Sequence, residues 1–128
     1  MLNKGENAQM RILIAEDDHD IRYLLVRNAK KSGFQPIEAF DGEDAIVKFE
    51  KNPDILALVA DGSMPVLCGN AVISHVKRRN PNVFCVLSSA SEGSSLVADL
   101  VRPKPQGRKM FEELKVHLLA QQTAERAV

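Results

Sequence analysis

Short apolar runs alternate with amphipathic stretches along the whole chain, and this alternation constrains the fold more than any other feature. Continuous apolar runs at 12–15, 55–60 and 83–87 are typical of strands buried on both faces of a parallel sheet. Shorter runs at 37–40 and 100–102 predict two further strands. Apolar residues recur at helical spacing between the runs. The sequence therefore predicts an α/β domain with a parallel sheet and helices on both faces.

Length and charge restrict the possible partners. The chain has 128 residues, enough for one domain, and its 17 basic and 17 acidic residues give a formal net charge of zero. This balance provides no bulk attraction to nucleic acid or to an anionic membrane. We expect a polar N-terminal lead at 1–9, the domain at 10–119 and a helical or frayed tail at 120–128. The polar lead and the lack of a membrane-length apolar segment predict a cytoplasmic protein with no nucleic-acid or membrane partner.

The cysteines and histidines show no ligand pattern. Cys68 and Cys85 both stand in apolar surroundings, and we expect them to be small buried hydrophobic side chains. His19, His75 and His117 are scattered along the chain, so they predict no zinc site.

Polar side chains follow four of the predicted strands at the point where each strand ends. Glu16 and Asp17 follow the first strand, Asp61 the third and Ser88 the fourth, and Lys104 comes shortly after the fifth. The carboxyl ends of parallel strands meet at one edge of a sheet, so these side chains should converge. Clustered carboxylates need a cation, and an oxygen-only ligand set favours Mg²⁺. Together with a lysine and a hydroxyl, they predict a site for a phosphoryl group.

Four short motifs in the same order resemble those of response-regulator receiver domains of two-component signalling, the CheY-like domains. They are Ile12-Leu13-Ile14-Ala15-Glu16-Asp17-Asp18, Asp41-Gly42-Glu43-Asp44-Ala45, Asp61-Gly62-Ser63-Met64-Pro65 with Gly69, and Lys104-Pro105. The resemblance implies a flavodoxin-like, doubly wound five-stranded parallel sheet with strand order 2-1-3-4-5. It also implies a phosphoacceptor signalling domain rather than an enzyme, apart from Mg²⁺-assisted self-phosphorylation and dephosphorylation.

The resemblance assigns the acidic residues. Asp61 corresponds to the phosphoacceptor, which would receive a phosphoryl group from a histidine kinase or a phosphotransfer protein. Mg²⁺ would be held by Glu16, Asp17, Asp61 and the backbone carbonyl of Ser63. Asp18 is expected instead to cap the first helix.

The resemblance also assigns the basic residue and the hydroxyl. Lys104 would pair with the acceptor and then with its phosphoryl oxygens, and Pro105 would follow a cis peptide bond. Ser88 corresponds to the switch hydroxyl because it directly follows an apolar run. Ser89 stays open as the alternative, since Ser89-Ala90 also resembles the family's Thr-Ala pair.

Two departures from the family pattern concern the output of the domain. Only fifteen residues separate Ser88 from Lys104, so the family's fourth helix should be reduced to about a turn or missing. Val101 stands where the family has an aromatic switch residue. A working receiver would act on a downstream protein through altered contacts. The alternative is a pseudo-receiver, a protein-interaction module independent of phosphorylation.

Overall fold

A computed structural model describes residues 10–90 and 95–126, with side chains through residue 124. Five parallel strands form one sheet in the order β2-β1-β3-β4-β5, as the resemblance implies. The elements along the chain are β1 (Met10–Ala15), α1 (His19–Lys31), β2 (Phe34–Ala39), α2 (Gly42–Lys51), β3 (Ala57–Asp61), α3 (Gly69–Arg79), β4 (Phe84–Ser89), β5 (Leu100–Pro103) and α4 (Arg108–Arg126).

Each face of the sheet carries a hydrophobic cluster and two helices. Alternate residues of β1, β3 and β4 pack against α2 and α3 on one face, as Leu13, Leu58 and Leu87 do. The intervening residues pack against α1 and α4 on the other face, as Ile12 and Val59 do. The central strands are therefore buried on both faces, which explains their continuous apolar runs. No helix in the described ranges is long and apolar enough to cross a membrane.

Local sequence signals set the ends of α1 and α2. The carboxylate of Asp18 accepts a hydrogen bond from the Ile21 amide at 2.9 Å, which confirms its predicted role as the cap of α1. Asp41 caps α2 in the same way, through the Asp44 amide at 2.7 Å. Gly33 has φ +94°, a left-handed conformation that glycine adopts freely, and it ends the turn after α1.

Several expectations from the sequence need correction. The fourth strand runs from Phe84 to Ser89 rather than over 83–87, so that Ser88 lies within it, and the fifth extends one residue further, to Pro103. The second strand begins at Phe34 rather than at residue 37, because Pro36 is tolerated in an edge strand that pairs on one side only. The third strand runs from Ala57 to Asp61, two residues later at its start than the apolar run suggested and one later at its end. Cys68 is exposed at the N-cap of α3, whereas Cys85 is buried as expected.

The connection from β4 to β5 is short. Its described residues, 90 and 95–99, are not helical, and residues 91–94 lie outside the described part of the chain. The Ser95 hydroxyl accepts hydrogen bonds from the amides of Val97 and Ala98, which closes a turn. Asp99 then accepts a hydrogen bond from the Cys85 amide at 2.8 Å. In the part of this connection that the structure describes, hydrogen bonds to the Ser95 and Asp99 side chains thus take the place of the family's fourth helix. The helix named α4 here is the one that follows β5.

The close approach of α3 to β3 gives a test of the packing beneath the functional edge. A methyl group on Gly69 would overlap the backbone oxygen of Asp61 and lie 2.8 Å from Leu87 Cδ1. We expect Gly69→Ala to lower the free energy of unfolding by about 1–3 kcal/mol, measured by urea denaturation. Gly107→Ala is the matched control because nothing lies within 4 Å of its added methyl group. Equal stabilities of the two variants would contradict the packing described.

Candidate functional site

The carboxyl edge of the sheet brings together three charged groups from distant parts of the sequence. Glu16 follows β1, Asp61 ends β3 and Lys104 follows β5. The Lys104 ammonium lies 2.8 Å from Asp61 Oδ1 and 3.0 Å from Glu16 Oε1. Both carboxylates are nearly inaccessible to solvent, with 1% exposure for Glu16 and 5% for Asp61. Buried carboxylates require such a partner, and Lys104 supplies it to both.

Glu16, Asp17 and Asp61 form a cluster that we call the acidic site. One carboxylate oxygen from each residue lies within 4.8 Å of the other two. Opposite ligands of an octahedral Mg²⁺ are separated by about 4.2 Å, so small side-chain movements would bring these oxygens to coordinating distance. Asp17 is exposed, whereas the other two residues form a buried base. The donor set is oxygen-only and open to solvent on one side, which fits a hard divalent cation that keeps several waters.

The surroundings of Glu16 favour its protonated form. The pKa of this carboxyl is raised from 4.5 to about 7, chiefly by burial and to a smaller extent by the neighbouring carboxyl groups of Asp17 and Asp61. Hydrogen bonds from the Asp18 amide and from Lys104 act in the opposite direction. Glu16 is therefore protonated up to a higher pH than a solvent-exposed carboxyl group, and a bound cation would favour its ionised form.

Lys104 stays charged in this setting. Burial acts to lower the pKa of its ammonium group, but hydrogen bonds and charge attraction from Asp61 and Glu16 outweigh burial and raise the pKa above its usual value. The peptide bond between Lys104 and Pro105 is cis, as the family resemblance implied. The Lys104 amide donates to the Ser89 carbonyl at 2.6 Å, which fixes the lysine backbone to the end of β4.

The two candidate switch serines lie on opposite faces of β4 because successive strand residues alternate. Ser88 is paired in register with Asp61 and is 2% exposed. Ser89 lies on the other face with Cys85 and Leu87, where Val101 also packs, and it is half-buried. Ser88 therefore shares a face with the acceptor candidate, whereas Ser89 shares one with the position of the missing aromatic residue.

Sequence reasoning did not identify Gln106, a buried glutamine two residues after Lys104. Its side-chain amide donates to the Ser88 hydroxyl at 3.2 Å and to the carbonyls of Arg102 and Pro103 at 3.0 and 2.8 Å. No motif marks this glutamine in the sequence. Gln106 contacts Ser88 only because the loop from β5 to α4 packs against the end of β4.

Ser63 lies beside Asp61 in the loop after β3. Its amide donates to Asp61 Oδ1 at 3.2 Å and its side chain is exposed. The structure thus brings together Glu16, Asp17, Asp61 and Lys104, with Ser63 and Ser88 adjacent in the loop and on the neighbouring strand.

Comparison with known proteins agrees with this geometry. Residues 12–117 match the family described as the response regulator receiver domain. The chain belongs to this family. A CheY-like receiver domain protein from Methanospirillum hungatei JF-1 has the same fold, with a TM-score of 0.81 over 91% of this chain and 99% of that one at 21% sequence identity.

Two relatives extend the comparison. The transcriptional regulatory protein PrrA of Mycobacterium bovis is 38% identical over 92 residues, which is 70% of this receiver chain and 39% of PrrA. This chain thus spans well under half of that relative. The response regulator TrrA of Thermotoga maritima, solved in complex with Mg(2+)-BeF, matches with a TM-score of 0.77 and 25% identity over 86% of this chain and 99% of that one.

The raised pKa of Glu16 predicts how the stability of the receiver depends on pH. In the presence of a chelator, the native state binds the Glu16 proton more tightly than the unfolded state does. The stabilisation is complete below pH 4.5 and is lost as the pH rises through about 7. The free energy of unfolding should therefore contain a contribution that falls by about 2 kcal/mol between pH 5 and pH 8.

Urea denaturation at several pH values measures this contribution. Glu16→Gln should remove it, because an amide does not titrate. Glu43→Gln, at an exposed position in the first turn of α2, should retain the pH dependence of the unsubstituted chain. The same pH dependence in Glu16→Gln would disprove the assignment to Glu16.

Proposed function

We propose that this receiver domain accepts a phosphoryl group on Asp61 in a two-component phosphorelay. The observation that carries the proposal is the Lys104 ammonium 2.8 Å from Asp61 Oδ1, beside two further carboxylates. An attacking carboxylate must stay ionised, and the transferred group brings additional negative charge. The Lys104 ammonium would keep Asp61 ionised, and a metal ion in the acidic site would offset the charge of the transferred group. The proposed donor is a histidine kinase or a histidine phosphotransfer protein.

The proposed reaction forms one bond and breaks another. An oxygen of Asp61 attacks the phosphorus atom of a phosphohistidine, which forms an acyl phosphate, while the bond from phosphorus to the imidazole nitrogen breaks. The electron pair of that bond returns to the imidazole, which can take a proton from water. Lys104, already in contact with Asp61, then stays close enough to pair with a phosphoryl oxygen.

Mg²⁺ is the proposed cofactor. Glu16, Asp17 and Asp61 would hold it through their carboxylates, with the Ser63 carbonyl as a fourth protein ligand. When bound, Mg²⁺ would neutralise the charge of the carboxylates and of the phosphoryl oxygens. The oxygen-only composition of the acidic site supports this choice over a transition metal.

The hydroxyl proposed to contact the phosphoryl group is that of Ser88, which shares a face with Asp61. Ser89 is the alternative, and it shares a face with Val101. In either case the modified domain would act through changed contacts with a downstream protein. PrrA is named as a transcriptional regulatory protein and is much longer than this chain. The proposal therefore concerns the receiver domain alone and does not extend to nucleic-acid binding.

Intact mass spectrometry after incubation with a small acyl phosphate donor and Mg²⁺ tests the proposal. We expect a gain of one phosphoryl group that requires Mg²⁺ and disappears in Asp61→Asn. Asp54→Asn should still gain the group, because Asp54 pairs with Arg11 before β3, away from the carboxyl edge. A folded, Mg²⁺-binding protein that gains no mass would instead favour the pseudo-receiver, in which the domain docks without modification.

The acidic site also predicts the effect of removing one carboxylate on Mg²⁺ affinity. Asp17→Asn should weaken Mg²⁺ binding on the order of tenfold or more, because one charged ligand becomes neutral. Titration calorimetry measures the affinity directly. Asp20→Asn, exposed on α1 and outside the acidic site, should bind Mg²⁺ like the unsubstituted domain. Unchanged binding by Asp17→Asn would exclude Asp17 as a ligand.

A further inference from the structure

We infer that Arg22 is a positioning residue for the acidic site, which acts by holding the backbone of the loop that carries Asp17. The inference rests on the proposed function, because Asp17 matters as a ligand only if the acidic site binds Mg²⁺. Asp17 is exposed, whereas the other two carboxylates of the site are buried. Its place in the site therefore depends on the loop backbone rather than on the packing of its own side chain.

The guanidinium group of Arg22 joins α1 to the ends of two strands. Arg22 Nη1 donates to the Glu16 carbonyl, just after β1, at 2.8 Å, and Nε donates to Glu38 Oε1 of β2 at 3.3 Å. The side chain of Arg22 is 15% exposed and that of Glu38 is 55% exposed. An ion pair with so exposed a partner contributes little, whereas a hydrogen bond from a charged donor is among the stronger ones. The contact with the Glu16 carbonyl is therefore the important one for the loop.

Hydrogen bonds hold both peptide units that flank Asp17. The unit before Asp17 contains the Glu16 carbonyl, which accepts from Arg22. The unit after it contains the Asp18 amide, which donates to Glu16 Oε2 at 3.1 Å. Each peptide unit is planar, so a hydrogen bond to one of its atoms restricts the rotation of the whole unit. The two units together determine where the Asp17 side chain points, and Arg22 holds the first of them.

The other polar groups of Glu16 are held without Arg22. The Glu16 amide donates to the Ala39 carbonyl at 3.1 Å, and its carboxylate lies 3.0 Å from the Lys104 ammonium. These contacts fix the Glu16 carboxylate, but they leave the peptide unit between Glu16 and Asp17 able to turn about its two flanking Cα atoms. We therefore expect the loss of Arg22 to free Asp17 while Glu16 stays in place.

The charge of Arg22 would act on a bound cation in the opposite direction from its hydrogen bond. A guanidinium group repels a nearby cation, and its removal would also leave the negative charge of Glu38 without this partner. If Arg22 acts only through its charge, its removal should tighten Mg²⁺ binding. If Arg22 positions Asp17, its removal should weaken binding, because the loop must then be ordered when the ion binds. The sign of the change separates the two roles.

A titration of Arg22→Met with Mg²⁺, followed through the backbone amide resonances of the folded domain, tests this role. Methionine keeps an apolar stem in place of the arginine stem but cannot donate to the Glu16 carbonyl. We expect the affinity to fall about three- to tenfold, the value of one hydrogen bond. Arg27→Met is the matched control, because Arg27 is exposed on the same helix and the substitution removes the same charge. It should bind Mg²⁺ like the unsubstituted domain. Unchanged or tighter binding by Arg22→Met would overturn the inference.

The mobility of Asp17 gives a second readout, which needs no metal. In the unsubstituted domain without Mg²⁺, the Asp17 amide should have an NMR order parameter of about 0.85, the value of rigid backbone. In Arg22→Met this order parameter should fall, while that of Ile14 within β1 should not change. A role of Arg22 in overall stability alone would leave both values unchanged in the folded variant. A mobile Asp17 amide in the unsubstituted domain would overturn the inference even if Arg22→Met failed to fold.

The outcomes separate the inference from the proposed function. If the domain binds Mg²⁺ and gains a phosphoryl group, but its Mg²⁺ affinity does not depend on Arg22, the proposed function stands and only the role of Arg22 fails. If the unsubstituted domain binds no Mg²⁺, the proposed cofactor fails and the inference fails with it.

Discussion

The contact of Lys104 with two buried carboxylates is the interaction on which the arrangement of the site depends. Glu16 and Lys104 are 88 positions apart in the sequence, yet their charged atoms lie 3.0 Å apart. Removing the lysine would leave Asp61 and Glu16 as buried neighbours without this cation, a costly arrangement. Parallel pairing resolves this problem because it places the carboxyl ends of β1, β3 and β5 at one edge. The strand order then determines which side chains can meet.

Stability and function are supplied by different parts of the molecule. Two apolar clusters, one on each face of the sheet, bury the side chains of the central strands. Because these clusters hold the sheet together, the edge can carry groups that oppose folding, such as Glu16 with its raised pKa. The same clusters fix the positions of the strands whose ends carry Asp61 and Lys104, and the charged atoms of these two residues lie 2.8 Å apart.

The departures from the family pattern concentrate on one side of β4. Val101 stands where the family has an aromatic residue. The connection from β4 to β5 is short, and the side chains of Asp99 and Ser95 accept hydrogen bonds from backbone amides there. On the opposite face, Ser88 and Gln106 form a buried polar pair, and Ser88 is the in-register neighbour of Asp61. Val101 and Ser88 thus lie on opposite faces of the sheet.

The sequence by itself predicted the order of strands and helices and the residue types that gather at the carboxyl edge of the sheet. Apolar runs located the strands, and the acids, serine and lysine at their ends indicated a phosphoryl site, because strand burial and ligand preference depend on local residue types. The errors of the sequence-based predictions were also local. Pro36 led to a start of β2 that was too late, and the apolar neighbours of Cys68 led to the wrong prediction that it is buried. Only the tertiary structure decided that Lys104 bridges Glu16 and Asp61, that Ser88 and Ser89 face opposite ways, and that Gln106 contacts Ser88. These contacts join residues far apart in the chain, and their distances depend on strand register and loop packing, which no local pattern records.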